Sequence, residues 1–116
     1  MKFNYFTIVS LLSLSIIAPS VNAAPEWVSG KLSQLLNHET FFGHCMVYSA
    51  SFTPSNGCPA GWVSLDCAGN HLEKSVAGRM WDSVQLAYAL DKSVDIYLDD
   101  SRRNNGHCIA SRLDVY

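Results

Sequence analysis

The chain has 116 residues, a formal net charge of −2, and apolar side chains at 48% of its positions. Lys and Arg form no basic stripe, which argues against nucleic acid as a partner. Its length predicts one domain beyond any leader, too small to be held by an apolar core alone.

The leader comes first. Lys2 supplies a positive start, and "FTIVSLLSLSIIA" (Phe6 to Ala18) is an apolar stretch short for a membrane span. Pro19 follows, and "VNA" before Ala24 has the small-x-small form of a signal-peptidase site. Residues 1–23 therefore read as a signal peptide, and residues 24–116 as a single exported domain, periplasmic or secreted. No stable membrane span is expected once the leader is removed. Removing it takes away Lys2 and no acid, leaving seven basic against ten acidic residues.

"APEWVSGKLSQLLNH" (Ala24 to His38) admits two readings. Trp27, Leu32, Leu35 and Leu36 fit one face of a short helix after Pro25, and an edge strand followed by a loop fits equally well. "GHCMVYSASF" (Gly43 to Phe52) leans to strand. "TPSNGCPAG" is dense in turn formers. "WVSLDC" (Trp62 to Cys67) alternates, with Val63, Leu65 and Cys67 on one side and Trp62, Ser64 and Asp66 on the other.

The helix signal is clearest after residue 69. Asn70 is expected to cap it, with Glu73 as a capping-box partner. Leu72, Val76, Met80, Val84 and Ala87 form a stripe that Ala77, Trp81, Tyr88 and Leu90 widen. Gly78 is expected where something packs closely, and Lys92 suits the negative end of the dipole. "VDIYLDD" then alternates again: Val94, Ile96 and Leu98 inward, Asp95, Tyr97 and Asp99 outward. In "HCIASRLDVY", Ile109, Leu113 and Val115 share one face, and Arg112 and Asp114 the other. The fold class predicted is α+β: a small antiparallel sheet or OB-like barrel with one long helix packed on it, and two disulfides.

Cys45, Cys58, Cys67 and Cys108 make an even count in a small exported chain, hence two disulfides. A hairpin across residues 53–61 puts Cys45 near Cys67, and Cys58 and Cys67 bracket a run too extended to bridge. Cys58–Cys108 remains.

"DDSRRNNGHC" (Asp99 to Cys108) is the most chemically loaded stretch. Adjacent Asp99 and Asp100 point to opposite faces of a strand, which is poor geometry for one carboxylate site. Two arginines stand where calcium would need oxygen ligands, so no metal or other cofactor is expected. Asn105-Gly106 is a hairpin-turn dipeptide. Tyr97, Asp99, Arg102 and Arg103 are the candidate binding residues. No nucleophile elbow, phosphate loop or dinucleotide fingerprint occurs, so binding is favoured over catalysis. A hydrolase would have to be built on His44, His107 and Asp99. A third class is an accessory protein packing on a larger partner.

At "QLAYALDKSVDIYLDD", a helix running into a V-x-I-Y strand resembles the binding subunits of subtilase cytotoxin and its typhoid-toxin relatives. "GC…WVSLDC…LAYAL…VDIYLDD…NGHC" also resembles small exported bacterial proteins. The likeness covers roughly Gly43 to Tyr116. It implies an OB fold, a homo-oligomer, a glycan or protein partner, and pairing of Cys45 with Cys67. A sugar-contacting tyrosine of those subunits corresponds to Leu98 here, so no glycan-binding residue carries over.

Overall fold

A computed structural model of the chain describes residues 25–116. The leader assigned to residues 1–23 lies outside the described residues. Six strands and one helix follow in order: β1 (Glu26–Lys31), β2 (Gln34–Asn37), β3 (Cys45–Tyr48), β4 (Trp62–Ser64), α1 (Lys74–Ala89), β5 (Ser93–Asn104) and β6 (His107–Val115). The sheet order is β1-β5-β6-β4-β3-β2. Every pair is antiparallel except β4–β6, so the sheet is mixed, not purely antiparallel. The reason is topological: β6 returns antiparallel beside β5 and thereby lies parallel to β4.

The N-terminal segment takes the strand option. It splits at Leu32-Ser33: Lys31 pairs with Ser93 of β5, and Gln34 pairs with Tyr48 of β3. The two edges of the sheet are thus consecutive halves of one chain segment, which curls the sheet back on itself. The 53–56 loop fastens the start of β1. The Glu26 carboxylate accepts hydrogen bonds from Ser55 N (2.7 Å), Ser55 Oγ (2.9 Å) and Asn56 N (3.0 Å). Those bonds hold its pKa below the ordinary carboxylate value.

The alternation of β5 is realised: Val94, Ile96 and Leu98 are buried. They share a core with Val28, Leu32, Val47, Phe52, Val63 and Leu65, closed by Met80, Val84 and Ala87 of α1. Helix and sheet thus bury one another's apolar faces, the main favourable term in folding.

The helix differs from expectation at both ends. It starts at Lys74, with Glu73 as a cap residue that makes no side-chain cap bond. Asn70 is not the cap, because its N–H and those of His71 and Leu72 are committed to the carboxylate of Asp66. At the other end Tyr88 and Leu90 are exposed, outside the buried stripe. The helix closes with Lys92 N donating to Ala87 O (2.9 Å) while Asp91 takes φ +54°. That is a Schellman closure with aspartate where glycine is commoner. Nothing lies within 4 Å of a Cβ built at Gly78, so no close packing requires it.

Both disulfides form as expected, Cys45–Cys67 and Cys58–Cys108, each with Cα atoms 5.7 Å apart. β4 is shorter than the alternation suggested, and its supposedly outward Ser64 and Asp66 are buried. In β6, Ile109 is buried as expected while Val115 is exposed. Among the described residues, no helix is long and apolar enough to cross a membrane.

Candidate functional site

The stretch Asp99 to Cys108 is a bulged hairpin, not an open loop. β5 continues to Asn104, and the turn is Asn105-Gly106 with φ +51° and +85°. Two successive positive φ values are what a type I′ hairpin turn demands. Asp99 pairs with Ile109 and Arg103 with Cys108, so Asp100, Ser101 and Arg102 bulge from the ladder. The bulge is tied down internally. Asp99 accepts from Ser101 N (3.0 Å) and Oγ and from Arg102 Nε (2.7 Å). Burial alone would raise its pKa, but these bonds outweigh it and the pKa is lowered. Arg102 also donates to His71 O (3.3 Å), and Arg103 donates to the carbonyls of Asp100, Gly106 and Gly57. Both guanidinium groups therefore strap the hairpin to the 57 and 71 loops.

Tyr97 belongs elsewhere. Its ring packs on Trp27 (5.0 Å between centroids), and the Arg112 guanidinium lies 5.2 Å above Trp27. Arg112 is held by both Asp114 oxygens at 3.0 Å. Asp95 beside them accepts from Ser29 Oγ and from Tyr116 OH (2.9 Å). Tyr97 is thus not joined to Asp99, Arg102 and Arg103. Among the described residues, His44, His107 and Asp99 share no hydrogen bond or ion pair with one another. No group of three His, Cys, Asp or Glu side chains stands where it could hold a metal ion, among the described residues.

A second aromatic surface was not singled out by sequence. Tyr48 and Trp62 are directly opposed on β3 and β4, with ring centroids 5.1 Å apart. Their neighbours Val47 and Val63 point to the core, so this pair takes the outer face. β4 and β6 run parallel with Ser64 opposite Ile109. Two residues earlier on each strand, Trp62 and His107 come together. Burial lowers the His107 pKa, a bond to the Trp62 backbone opposes this, and the charge of Arg103 adds to the lowering. Among the described residues, His107 Nδ1 is the one buried side-chain nitrogen or oxygen without a hydrogen-bond partner.

The lip of this shelf is the segment joining β2 to β3. Phe42, Gly43 and His44 all have positive φ, at +61°, +68° and +74°. Left-handed residues usually occur singly, and each non-glycine costs roughly 1–2 kcal/mol. Gly43 is obligatory: a Cβ there would sit 2.3 Å from Asn104 Nδ2. The strain is held by bonds from every side. Phe42 N donates to Asn105 Oδ1 (2.8 Å), Ser64 Oγ donates to Phe42 O (2.8 Å), and Ala68 N donates to Gly43 O (2.9 Å). His38 Nδ1 accepts from Thr40 N and Phe41 N, both at 3.0 Å. Its ring touches Phe41 and Phe42, and Phe42 meets His107 edge-on at 5.7 Å. Phe41 is exposed.

Beneath the lip lies Asp66, fully buried. Its carboxylate accepts from Asn70 N (3.2 Å), His71 N (2.7 Å), Leu72 N (2.7 Å) and Asn104 Nδ2 (2.9 Å). Burial pushes its pKa up, yet those donors outweigh it and the net shift is downward. Asn104 in turn donates to Ser64 Oγ and accepts from Asn70 Nδ2. One buried network therefore joins the pre-helix loop, the hairpin end and the strained lip. The sequence signal for the lip was the pair of adjacent aromatics before a glycine in "FFGH". Asp66 carried no signal of its own: three of its donors are backbone N–H groups four to six residues on, which any residue type supplies, and the fourth, Asn104, lies 38 residues away.

Comparison of the chain with family models, with curated proteins and with solved structures returns no match.

Proposed function

We propose that this is a small exported binding protein whose ligand lies on the shelf made by Tyr48, Trp62, His38, Phe41 and Phe42. The observation that carries this reading is the run of three left-handed residues, Phe42 to His44, whose Phe42 ring meets His107, itself bonded to the backbone of Trp62 in the Tyr48–Trp62 pair. Strained backbone of this kind persists where surrounding bonds over-determine it, and it concentrates at ligand clamps. Rings with polar edges favour a ligand with one apolar face and many hydroxyls, and a sugar fits that description. The overall negative charge disfavours nucleic acid, the other common partner of stacked aromatics.

An OB-like barrel is the fold this reading adopts. Its support is the edge segment split between β1 and β2, the helix placed between β4 and β5, and the parallel β4–β6 pair. In such barrels the outer face of the second and third strands and the adjacent loops take oligosaccharides. On this reading β3 and β4 stand for those strands, and the segment joining β2 to β3 for one of those loops. Export is supported by the leader-like start of the sequence and by two disulfides.

A glycan array followed by titration with tryptophan fluorescence tests the proposal. Trp62→Ala and Phe41→Ala should each weaken a bound oligosaccharide about tenfold or more, equivalent to about 1.4 kcal/mol. Tyr97→Ala should leave it unchanged. An array without hits, or equal losses at Tyr97 and Trp62, refutes the shelf as a glycan site.

A further inference from the structure

The outer flank of α1 carries a second apolar surface that the shelf does not use. Leu86 and Leu90 are 59% and 58% exposed, and with Val115 and Tyr116 of the β6 end they line a groove of about 330 Å³. A second hollow of about 290 Å³ lies nearer the start of the helix, between Val76, Met80 and Leu113. The residues advance together along both elements, so the two hollows, which share no lining residue, lie in file along one α1–β6 seam. From residue 76 to 90 its length is about 21 Å at the helical rise. Apolar surface left open and rimmed by polar groups marks an interaction site.

The charge of the seam runs against that of the chain. Arg79, Arg112 and Lys92 line it, and no acidic side chain does. Arg112 is neutralised by Asp114, whereas Arg79 and Lys92 form no ion pair among the described residues. They stand at opposite ends of the seam, in a chain of net charge −2.

We propose that this seam docks an acidic amphipathic helix of a partner protein. Leucine-type residues at one-turn spacing would enter between α1 and β6, and Glu or Asp side chains near both ends would meet Arg79 and Lys92. Some four turns of helix match its length, and helix-in-groove recognition uses that spacing of anchors.

The test uses labelled 16-residue helical peptides and fluorescence anisotropy. One peptide has leucines along one face and glutamates on the flanks. Its twin carries lysines in place of the glutamates. The Leu/Glu peptide should bind at least tenfold more tightly at low salt, and the advantage should shrink at 0.5 M salt, as expected for screened charges (Debye length below about 5 Å). Leu86→Ser with Leu90→Ser should abolish binding with the melting curve unchanged, since both side chains are exposed. Arg79→Glu with Lys92→Glu should reverse the preference towards the lysine peptide. Binding of neither peptide, equal binding of both, or indifference to the leucine changes overturns the proposal. So does a concentration-dependent dimer that the leucine changes dissolve, because the occupant would then be a second copy of the chain.

Discussion

The two aromatic surfaces of the sheet are built from similar side chains and differ in how they are held. At Trp27, Tyr97 and Arg112, each polar group has a nearby partner on the surface: Arg112 has Asp114, and Asp95 has Ser29 and Tyr116. At Tyr48, Trp62 and Phe42, the support comes from beneath, through Asp66, Asn104 and both disulfides. The second surface also contains the left-handed turn and the orphaned His107 nitrogen. Aromatic content alone therefore does not mark a binding face. Strain and an unpartnered buried atom are what set the proposed shelf apart from the other surface.

That contrast can be broken by measurement, and the disulfide under the shelf should give the largest effect. Cys58→Ala with Cys108→Ala opens a closure of 50 residues. Chain entropy assigns this a loss of about 4 kcal/mol, read by urea denaturation. Asp66→Asn comes next, at about 3 kcal/mol, because an amide cannot serve three backbone N–H donors and Asn104 as a carboxylate does. Asp95→Asn on the other surface should cost under about 1 kcal/mol, since its bonds are exposed. Equal losses at Asp66 and Asp95 would erase the distinction between the two surfaces.

Acid should act on the shelf first. The Asp66 carboxyl titrates below an ordinary carboxylate in the folded chain. Its contribution is therefore complete above about pH 4 and is lost as pH falls through the folded value. His107 is also depressed, so the unfolded chain takes up a proton below about pH 6.5 that the folded chain refuses. Both effects make stability fall with pH. Urea midpoints measured at pH 7, 5.5 and 2.5 should decline at each step. A flat response between pH 7 and 5.5 in the wild type would remove His107 from the account, and a lower step undiminished in Asp66→Asn would remove Asp66, since Glu26 and Asp99 account only for the remainder.

The smallest effects test strain directly. His44→Gly relieves a left-handed residue whose side chain is exposed, and should raise stability by up to about 1 kcal/mol by thermal denaturation. A loss there would mean that the turn stores no strain. Tyr97→Phe should stay within about 0.5 kcal/mol, as expected of a surface change away from any buried network.

Much of the framework was legible in local pattern. The alternation of Val94, Ile96 and Leu98 identified the inner face of β5, and Asn105-Gly106 identified its hairpin. The hairpin geometry of residues 43–67 was sufficient to choose among the cysteine pairings. Asn105-Gly106 and the Cys58–Cys108 pairing mark the far end of the stretch Asp99 to Cys108 in the sequence, yet of its candidate binding residues the arginines are straps, and Tyr97 belongs to another surface. The helix start was misplaced for a definable reason. Asn70 has the right chemistry for a cap, but Asp66 captures its N–H and offers the backbone a competing set of bonds.

By itself the sequence determined the elements whose signals are local: strand alternation, the buried stripe of the helix, turn dipeptides and the even set of cysteines. These follow from side-chain periodicity and backbone preference, which act over a few residues. Only the tertiary structure decided the parallel β4–β6 pairing, the burial of Asp66, the row Tyr48–Trp62–His107 and the seam beside α1. Each depends on residues separated by many positions meeting in space. Their energies arise from desolvation and shared hydrogen bonds, and those exist only once the chain has closed on itself.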